Sequence, residues 1–597
     1  MNEFTRVIQR PVEKSVEKKL IDSGYHPLLA RIVAGRPLVN DRDPEEFIFA
    51  TGKCLDKPDS LFDINRATDR IVQAILDREV IGQVADYDAD GNGVMSVTLV
   101  AMIEYFGVSS ELLWPFIGDR LTEGYGLSDG VCKRILACDS LPGLVITGDC
   151  GSSDEPRIKK LKDAGIDVIV TDHHAFPVDG PPESAYAVVS PVHPDGEFPD
   201  PTIAGGYVTW LLMATVRRKL IEQNIIPGDS PGLARLLDFC AISTVADCVS
   251  LASTNNRVVV KKGLTLINNR TRPAWEVFTE FKNSTDLMSS DIAFTLGPML
   301  NSAGRLSDAF ESVSFLITRT NIEARKQMEY LRNENEKRKG IERETTKLAK
   351  GFARKSLTGN SKGIVVHLPA GHPGVIGIVA SRLKESFGLP SVVLAPSGKD
   401  KGLITGSVRG IDYTSFHCRD ALQEVANEFP EMLVAFGGHR AAAGLTLKAD
   451  DIETFTKSFE SACGDQLEGI TLGPVIITDG RVDGYKLDLE LLDKLGVLEP
   501  FGRGFEKPVF EIEGKVVDLR IIGESKIHLK ILLKLEGQND AIDTVWFNFR
   551  EDESDFVPVK TGDIVRCTGT LEVNVWKGRR KIQLIISSCN TYIHSRN

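Results

Sequence analysis

Asp86-Tyr87-Asp88-Ala89-Asp90-Gly91 follows directly on the apolar run Val80 to Ala85, and this junction decides how the chain is read. In extended backbone, residues two apart point the same way, so three carboxylates can converge at the end of a strand. Left alone they repel one another. A divalent cation is the common compensation, and magnesium or manganese suits hard oxygen donors. Further candidates close later apolar segments. Leu144-Val145-Ile146 runs towards Asp149-Cys150-Gly151, Val168-Ile169-Val170 towards Asp172-His173-His174, and the helix-like stretch from Phe239 ends at Asp247. Ligands of an open parallel sheet bind outside the carboxyl ends of its strands, which is where these residues fall. A single Asp in such a place is usually a turn or cap residue. Four such sets, in order within one repeating strand-helix region, favour a two-metal centre.

The surrounding pattern predicts an α/β protein of two lobes with a terminal β domain. From about residue 78 to 320, strand-like runs alternate with helical ones such as Val94 to Tyr105 and Gly205 to Glu222, which predicts a mainly parallel sheet. Asn321 to Lys355 is charge-rich and free of proline, and reads as one long helix linking the lobes. A second α/β unit opens with the strand Gly363 to His367 and the helix Val375 to Ser386. From about 472 the pattern turns to short strands broken by Gly, Asn and Asp, which fits a small barrel of the OB type. The expected domains are therefore 1–75, a helical lead-in; 76–320, the catalytic lobe; 321–355, the connecting helix; 356–470, the second lobe; and 471–597, the β domain.

Composition narrows the class. With 597 residues, 42% hydrophobic and 26% charged, the chain has ordinary globular balance. The N-terminus has no apolar core and no run reaches membrane-spanning length, so a cytoplasmic protein without membrane contact is expected. Ten cysteines lie scattered without a Cys-x-x-Cys pair, and Cys240 and Cys248 fall in apolar segments where buried reduced thiols are expected. A net charge of −12 confines any nucleic-acid contact to local patches.

Together with Gly124-Tyr125-Gly126-Leu127, Asn301-Ser302-Ala303-Gly304-Arg305, Gly374 to Arg382, Gly406-Ser407-Val408-Arg409 and Phe436-Gly437-Gly438-His439, these motifs resemble the DHH phosphoesterase superfamily. Within it, the chain is similar to the bacterial exonucleases specific for single-stranded DNA, from about residue 45 to the end. The resemblance implies a DHH catalytic domain, a DHH-associated domain and an OB domain. It implies a centre of two Mn2+ or Mg2+ ions held by Asp88, Asp90, Asp149, His173 and Asp247, with Asp86 and His174 close by and Asp149 bridging. Asp172 would orient an imidazole, and His174 would meet the phosphate or protonate the departing 3′ oxygen. The implied reaction is hydrolysis of single-stranded DNA 5′ to 3′ into mononucleotides in DNA repair and recombination, by a monomer working beside a helicase and a single-strand-binding protein.

The resemblance further implies phosphate contacts from Arg120, Asn301, Arg305, His372, Arg382, Ser407, Arg409 and His439, several of them in glycine-flanked segments or at a helix start, which admit a backbone phosphate. In the β domain, Trp576 and Arg579 lead a local basic aromatic cluster suited to stacking and charge. Arg382 has a plainer alternative, a surface ion pair. The chain departs from the family pattern with Cys150 where Asn is usual, with Gly371-His372-Pro373-Gly374 where Trp-His-Gln-Gly is usual, and with Val84 where many members place a ligand histidine. Two rival readings are a phosphodiesterase of short oligonucleotides or cyclic dinucleotides, and a DNA-binding scaffold without catalysis.

Overall fold

The structure is a computed structural model that describes residues 5–591 apart from 398–401, Asp412, Asp483, Asn539, 551–555 and 577–578, and leaves out the side chains of Asn40, Trp576 and Thr591. Its contacts fall into two compact units, Ala50–Leu472 and the pair of segments Met1–Phe49 with Gly473–Asn597.

The larger unit begins its sheet with β1 (Ile81–Ala85), every residue of which is buried. Helix α1 (Ala89–Val100) follows and is buried along its whole length. Strands β2 (Leu113–Ile117), β3 (Leu144–Gly148), β4 (Asp167–Thr171) and β5 (Ala187–Val189) complete the sheet in the order β2-β1-β3-β4-β5, all parallel. Runs such as Leu-Val-Ile-Thr-Gly lack a polar alternate because both faces of a parallel sheet are covered. The register aligns Ala85 with Gly148 and Gly148 with Thr171. Asp86, Asp149 and Asp172 therefore leave three neighbouring strands close to one level, where adjacent strands lie about 4.8 Å apart. Helices α2 (Gly205–Glu222) and α3 (Leu237–Ala246) pack on α1.

Helix α4 (Gly297–Leu306) leads to α5 (Asn321–Ser356), the long connector that the sequence predicts to within one residue. Helix α5 is not simply solvated. Ala324, Met328, Leu331, Ala349 and Ala353 are buried along it, against both lobes. The second lobe carries β6 (Ile364–His367), α6 (Ile376–Phe387), β7 (Ser391–Pro396), β8 (Leu403–Arg409), β9 (Leu433–Gly438) and β10 (Ala442–Lys448). Its sheet order is β9-β10-β8-β7-β6, parallel only between β6 and β7.

In the smaller unit, β11 (Phe510–Ile522), β12 (His528–Leu535), β13 (Ala541–Trp546), β14 (Ile564–Trp576) and β15 (Arg579–Thr591) close a barrel in the order β11-β12-β13-β15-β14. Here the structure differs from the expected lead-in over 1–75. Arg6–Gln9 pairs in parallel with Val475–Thr478, and the buried Arg36 meets Asp479 through two hydrogen bonds of 2.7 and 3.1 Å. An amphipathic segment advertises an apolar face without saying which partner covers it, and here the partner comes from the far end of the sequence.

Among the described residues no disulfide forms. Cys240 is buried as expected, whereas Cys248 is exposed, in a left-handed turn (φ +57°) just beyond α3. No helix of the described residues is long and apolar enough to cross a membrane.

Candidate metal centre and substrate cleft

Asp88 sits at the N-cap of α1, where its Oδ1 accepts the backbone N–H groups of Asp90 (2.9 Å) and Gly91 (3.2 Å). Asp90, two residues on, is buried and serves a different helix. Its Oδ2 accepts from Gly205 N and its Oδ1 from Gly206 N, both at 2.8 Å, so a carboxylate closes the positive end of α2. Gly205 is required there, because a Cβ on it would lie 2.9 Å from that of Asp149. Asp149 follows β3 in a left-handed conformation (φ +58°), with its N–H bound to Thr171 O at 3.0 Å.

These groups converge on one imidazole. His173 Nε2 lies 3.1 Å from Asp149 Oδ1, 3.7 Å from Asp90 Oδ2 and 3.7 Å from Asp247 Oδ2. Asp90 and Asp247, 157 positions apart by their numbering, thus face the same nitrogen. Asp86, Asp88 and Asp149 form a second set, and Asp149, His173 and His174 a third, each with potential ligand atoms within 4.8 Å of one another. Asp172 does not join the sets. It accepts from Ser152 N (2.9 Å), His173 N (2.7 Å) and His174 N (3.1 Å), and meets His174 Nδ1 at 2.8 Å, so it orients the second imidazole.

The electrostatics fit a cation. Burial, and then the charge of Asp88, raises the Asp86 carboxyl well above the usual range. Burial raises Asp149 likewise, with Asp90, Asp88, Asp247 and Asp86 adding to it. Asp86 Oδ1 is shut away from solvent without a hydrogen-bond partner. A cluster of buried carboxylates that cannot all ionise, one with an orphaned oxygen, is a donor set that a divalent ion would satisfy. His174 behaves oppositely. Burial alone would lower it, but the hydrogen bond and charge of Asp172 outweigh burial and raise it to about 9.

In metal-free protein the sign of the pH effect follows. A group raised on folding contributes stability below its unfolded value, about 6.5 for His174, and loses that contribution as pH climbs through about 9. The raised Asp86 and Asp149 act in the same sense. Tm of the metal-free protein should therefore fall between pH 6.5 and 9, and Asp172→Asn should make that decline shallower in thermal scans. An unaltered profile in the variant would contradict the Asp172–His174 pairing.

A cleft of about 870 Å³ opens beside the centre, lined from the first lobe by Tyr87, Arg120, Tyr125 and Arg305, and from the second by Ser407 and Arg409. Arg305 donates to Gly374 O at 2.9 Å, and burial, then Arg120 and Arg338, push it down to about 10. Arg409 Nη1 donates to Ser407 Oγ at 2.9 Å. The His439 ring stacks over His174 with centroids 6.0 Å apart.

Other expected contacts lie elsewhere. Asn301 Oδ1 accepts Ala89 N at 2.7 Å and so braces the first motif, and His372 Nδ1 accepts Gly374 N at 3.0 Å within its own turn. Arg382 is away from the cleft lining, in ion pairs with Glu342 (3.4 Å) and Glu385 (3.0 Å), which is its plainer alternative. The side chain of Trp576 and all of Lys577 lie outside the described residues; Arg579 pairs with Trp576 across β14 and β15.

Two tyrosines escaped sequence reasoning. Tyr125 Oη donates to Asp149 O at 2.7 Å, and Tyr87 lines the cleft with the Arg120 guanidinium 4.9 Å above its ring. The period-two pattern gave no clue to Tyr87, because the extended run ends at Ala85 and Asp88 already caps α1, with Asp90 in its first turn.

Comparison with known proteins places this arrangement. The profile of the DHH family N-terminal domain matches residues 80–238, that of the DHHA1 domain 360–465, and that of the RecJ OB domain 478–588. The single-stranded-DNA-specific exonuclease RecJ of Haemophilus influenzae is 33% identical over 96% of this chain and 99% of its own length. The chain belongs to the RecJ family. RecJ of Dickeya dadantii is also 33% identical, over 98% of this chain and 99% of the relative. The crystal structure of Thermus thermophilus RecJ in complex with Mn2+ shares the fold with a TM-score of 0.76 at 23% identity, covering 98% of this chain and 79% of that one. DHH and DHHA1 lobes followed by a RecJ-type OB domain are therefore the architecture of this chain as well.

Proposed function

We propose that this RecJ-family chain is a metal-dependent single-stranded-DNA exonuclease that releases mononucleotides from the 5′ end, and that Asp86, Asp88, Asp90, Asp149, His173 and Asp247 hold its two divalent cations. The observation that carries this reading is the convergence of Asp90, Asp149 and Asp247 on His173 Nε2, beside a cleft lined by Arg120, Arg305 and Arg409. Manganese and magnesium suit the oxygen-rich donors, and Thermus thermophilus RecJ has been crystallised with each. Bound there, a pair of cations supplies an acidified water and neutralises phosphodiester charge.

The remaining work falls to the chain's own residues. Arg305, Arg409 and Ser407 bind the terminal phosphate, and Arg120 grips the backbone from above Tyr87. Asp172 fixes His174 Nδ1, leaving Nε2 as the atom that holds a proton for the departing 3′ oxygen. The family's function implies a role in DNA repair and recombination, where a helicase would deliver single strands and a single-strand-binding protein would keep them open. The converged ligand set argues against a scaffold without catalysis, and the full three-domain match argues against an enzyme limited to dinucleotides.

A time course on DNA labelled at either end tests this. With Mn2+, a 5′ label should leave as mononucleotide in the earliest samples while a 3′ label stays on long fragments, and excess chelator should stop both. Early mononucleotide from the 3′ label would overturn the direction; turnover in chelator would overturn the metal centre.

A further inference from the structure

We propose that a second groove, outside the catalytic cleft, binds the continuing single strand downstream of the nucleotides being cut. It has a volume of about 490 Å³ and runs between the segment before α4, the middle of α5, and α6. Arg338, Lys339, Arg343 and Arg382 line it, against the single carboxylate of Glu342, in a protein whose net charge is −12. Phe294 forms one wall with 82% of its surface exposed. This proposal rests on the exonuclease reading and extends it to how the strand is held.

Three observations carry it. Phe294 forgoes the burial a core phenylalanine gains, and it sits in a π-helical turn, Ile292–Leu296, a distortion that is frequent at functional sites. An exposed ring flanked by cations is the means by which proteins hold single strands without reading sequence. Several of the groove's cations are partly answered: Glu342 pairs with Arg338 at 2.6 Å and Arg382 at 3.4 Å, and Lys339 pairs with Glu336 at 2.8 Å. Arg343 has no ion pair among the described residues and is exposed, so its charge is available to a phosphate.

Third, the same two helices border both sites: α6 supplies Ser381 to the cleft and Arg382 to the groove, and α4 supplies Arg305 to the cleft and Pro298 to the groove. A strand leaving the cleft along these helices meets the groove next.

Phe294→Ala and Arg343→Glu test it, since both side chains are exposed and neither touches the metal ligands. Steady-state cleavage is compared on strands of about 5 and about 40 nucleotides, spanning one site or both. The expected result is a KM for the long strand raised roughly tenfold, a salt dependence shallower by about one phosphate contact in the arginine variant, and unchanged kcat and short-strand kinetics. Long-strand kinetics equal to wild type would overturn the proposal, as would an equal loss on both lengths. Anisotropy of the labelled long strand in chelator gives a readout without catalysis. Weaker binding by both variants there supports the groove even if the wild type should fail to cut DNA, a failure that would count against the exonuclease reading alone.

Discussion

Asp149→Asn should cost at least about 10⁴-fold in kcat while making the metal-free protein more stable. The two effects share one cause. Asp149 Oδ1 is 3.1 Å from His173 Nε2 and belongs to two of the three ligand sets, so its charge is what joins them. Without cations that charge is a liability, because burial and four neighbouring aspartates push the carboxyl towards its neutral form. Asparagine keeps the shape and tolerates the left-handed backbone at φ +58°, which alanine would strain. Relief of the repulsion should raise the metal-free Tm by roughly 1 to 2 °C for about 1 kcal/mol, and the increase in Tm on adding Mn2+ should shrink. Calorimetric Mn2+ titration and scanning calorimetry give both numbers. Wild-type turnover, or an undiminished Mn2+ response, would remove Asp149 from the centre.

Gly91→Ala should lower kcat by about 10² to 10³-fold without replacing a ligand. A Cβ built on Gly91 would lie 2.1 Å from Asp86 O, 2.6 Å from its carbonyl carbon and 2.8 Å from its nitrogen. All three are backbone atoms, so no side chain can swing aside. The methyl would force the end of β1 away from the first turn of α1, and would strain the hydrogen bond from Gly91 N to Asp88 Oδ1. Asp86 and Asp88 would then be displaced from Asp149, with which they form one ligand set. Overpacking of this kind also costs about 1–3 kcal/mol, so Tm should fall by several degrees. Gly340→Ala is the control: nothing lies within 4 Å of its Cβ, it occupies the interior of α5, and it should be neutral or slightly stabilising. A Gly91→Ala variant with full activity would show that the motif glycine is dispensable.

What could be read in advance followed from local chemistry. The apolar runs ending in carboxylates are strands of one parallel sheet, and the uninterrupted charged stretch is one helix, because both signals are carried by consecutive residues. Strand order is a different matter. Asp86, Asp149 and Asp172 come together because β1, β3 and β4 are neighbours in matching register, a fact held in the packing between strands. The dual service of Asp90, facing His173 while closing α2, was equally hidden, since Gly205 and Gly206 carry no mark of their partner. Arg382 shows the reverse case. Its position on α6 is as the pattern predicts, yet the side chain turns to Glu342 on α5, a carboxylate that spacing could not associate with it.

The pairing of Arg6–Gln9 with Val475–Thr478, and of Arg36 with Asp479, has a bearing on biosynthesis. The N-terminal segment of this unit must wait, with Phe47 lacking the Phe505 ring it packs against at 5.1 Å, until translation has passed Gly473. Meanwhile the intervening lobes can mature on their own, so a segment made before them is placed after them.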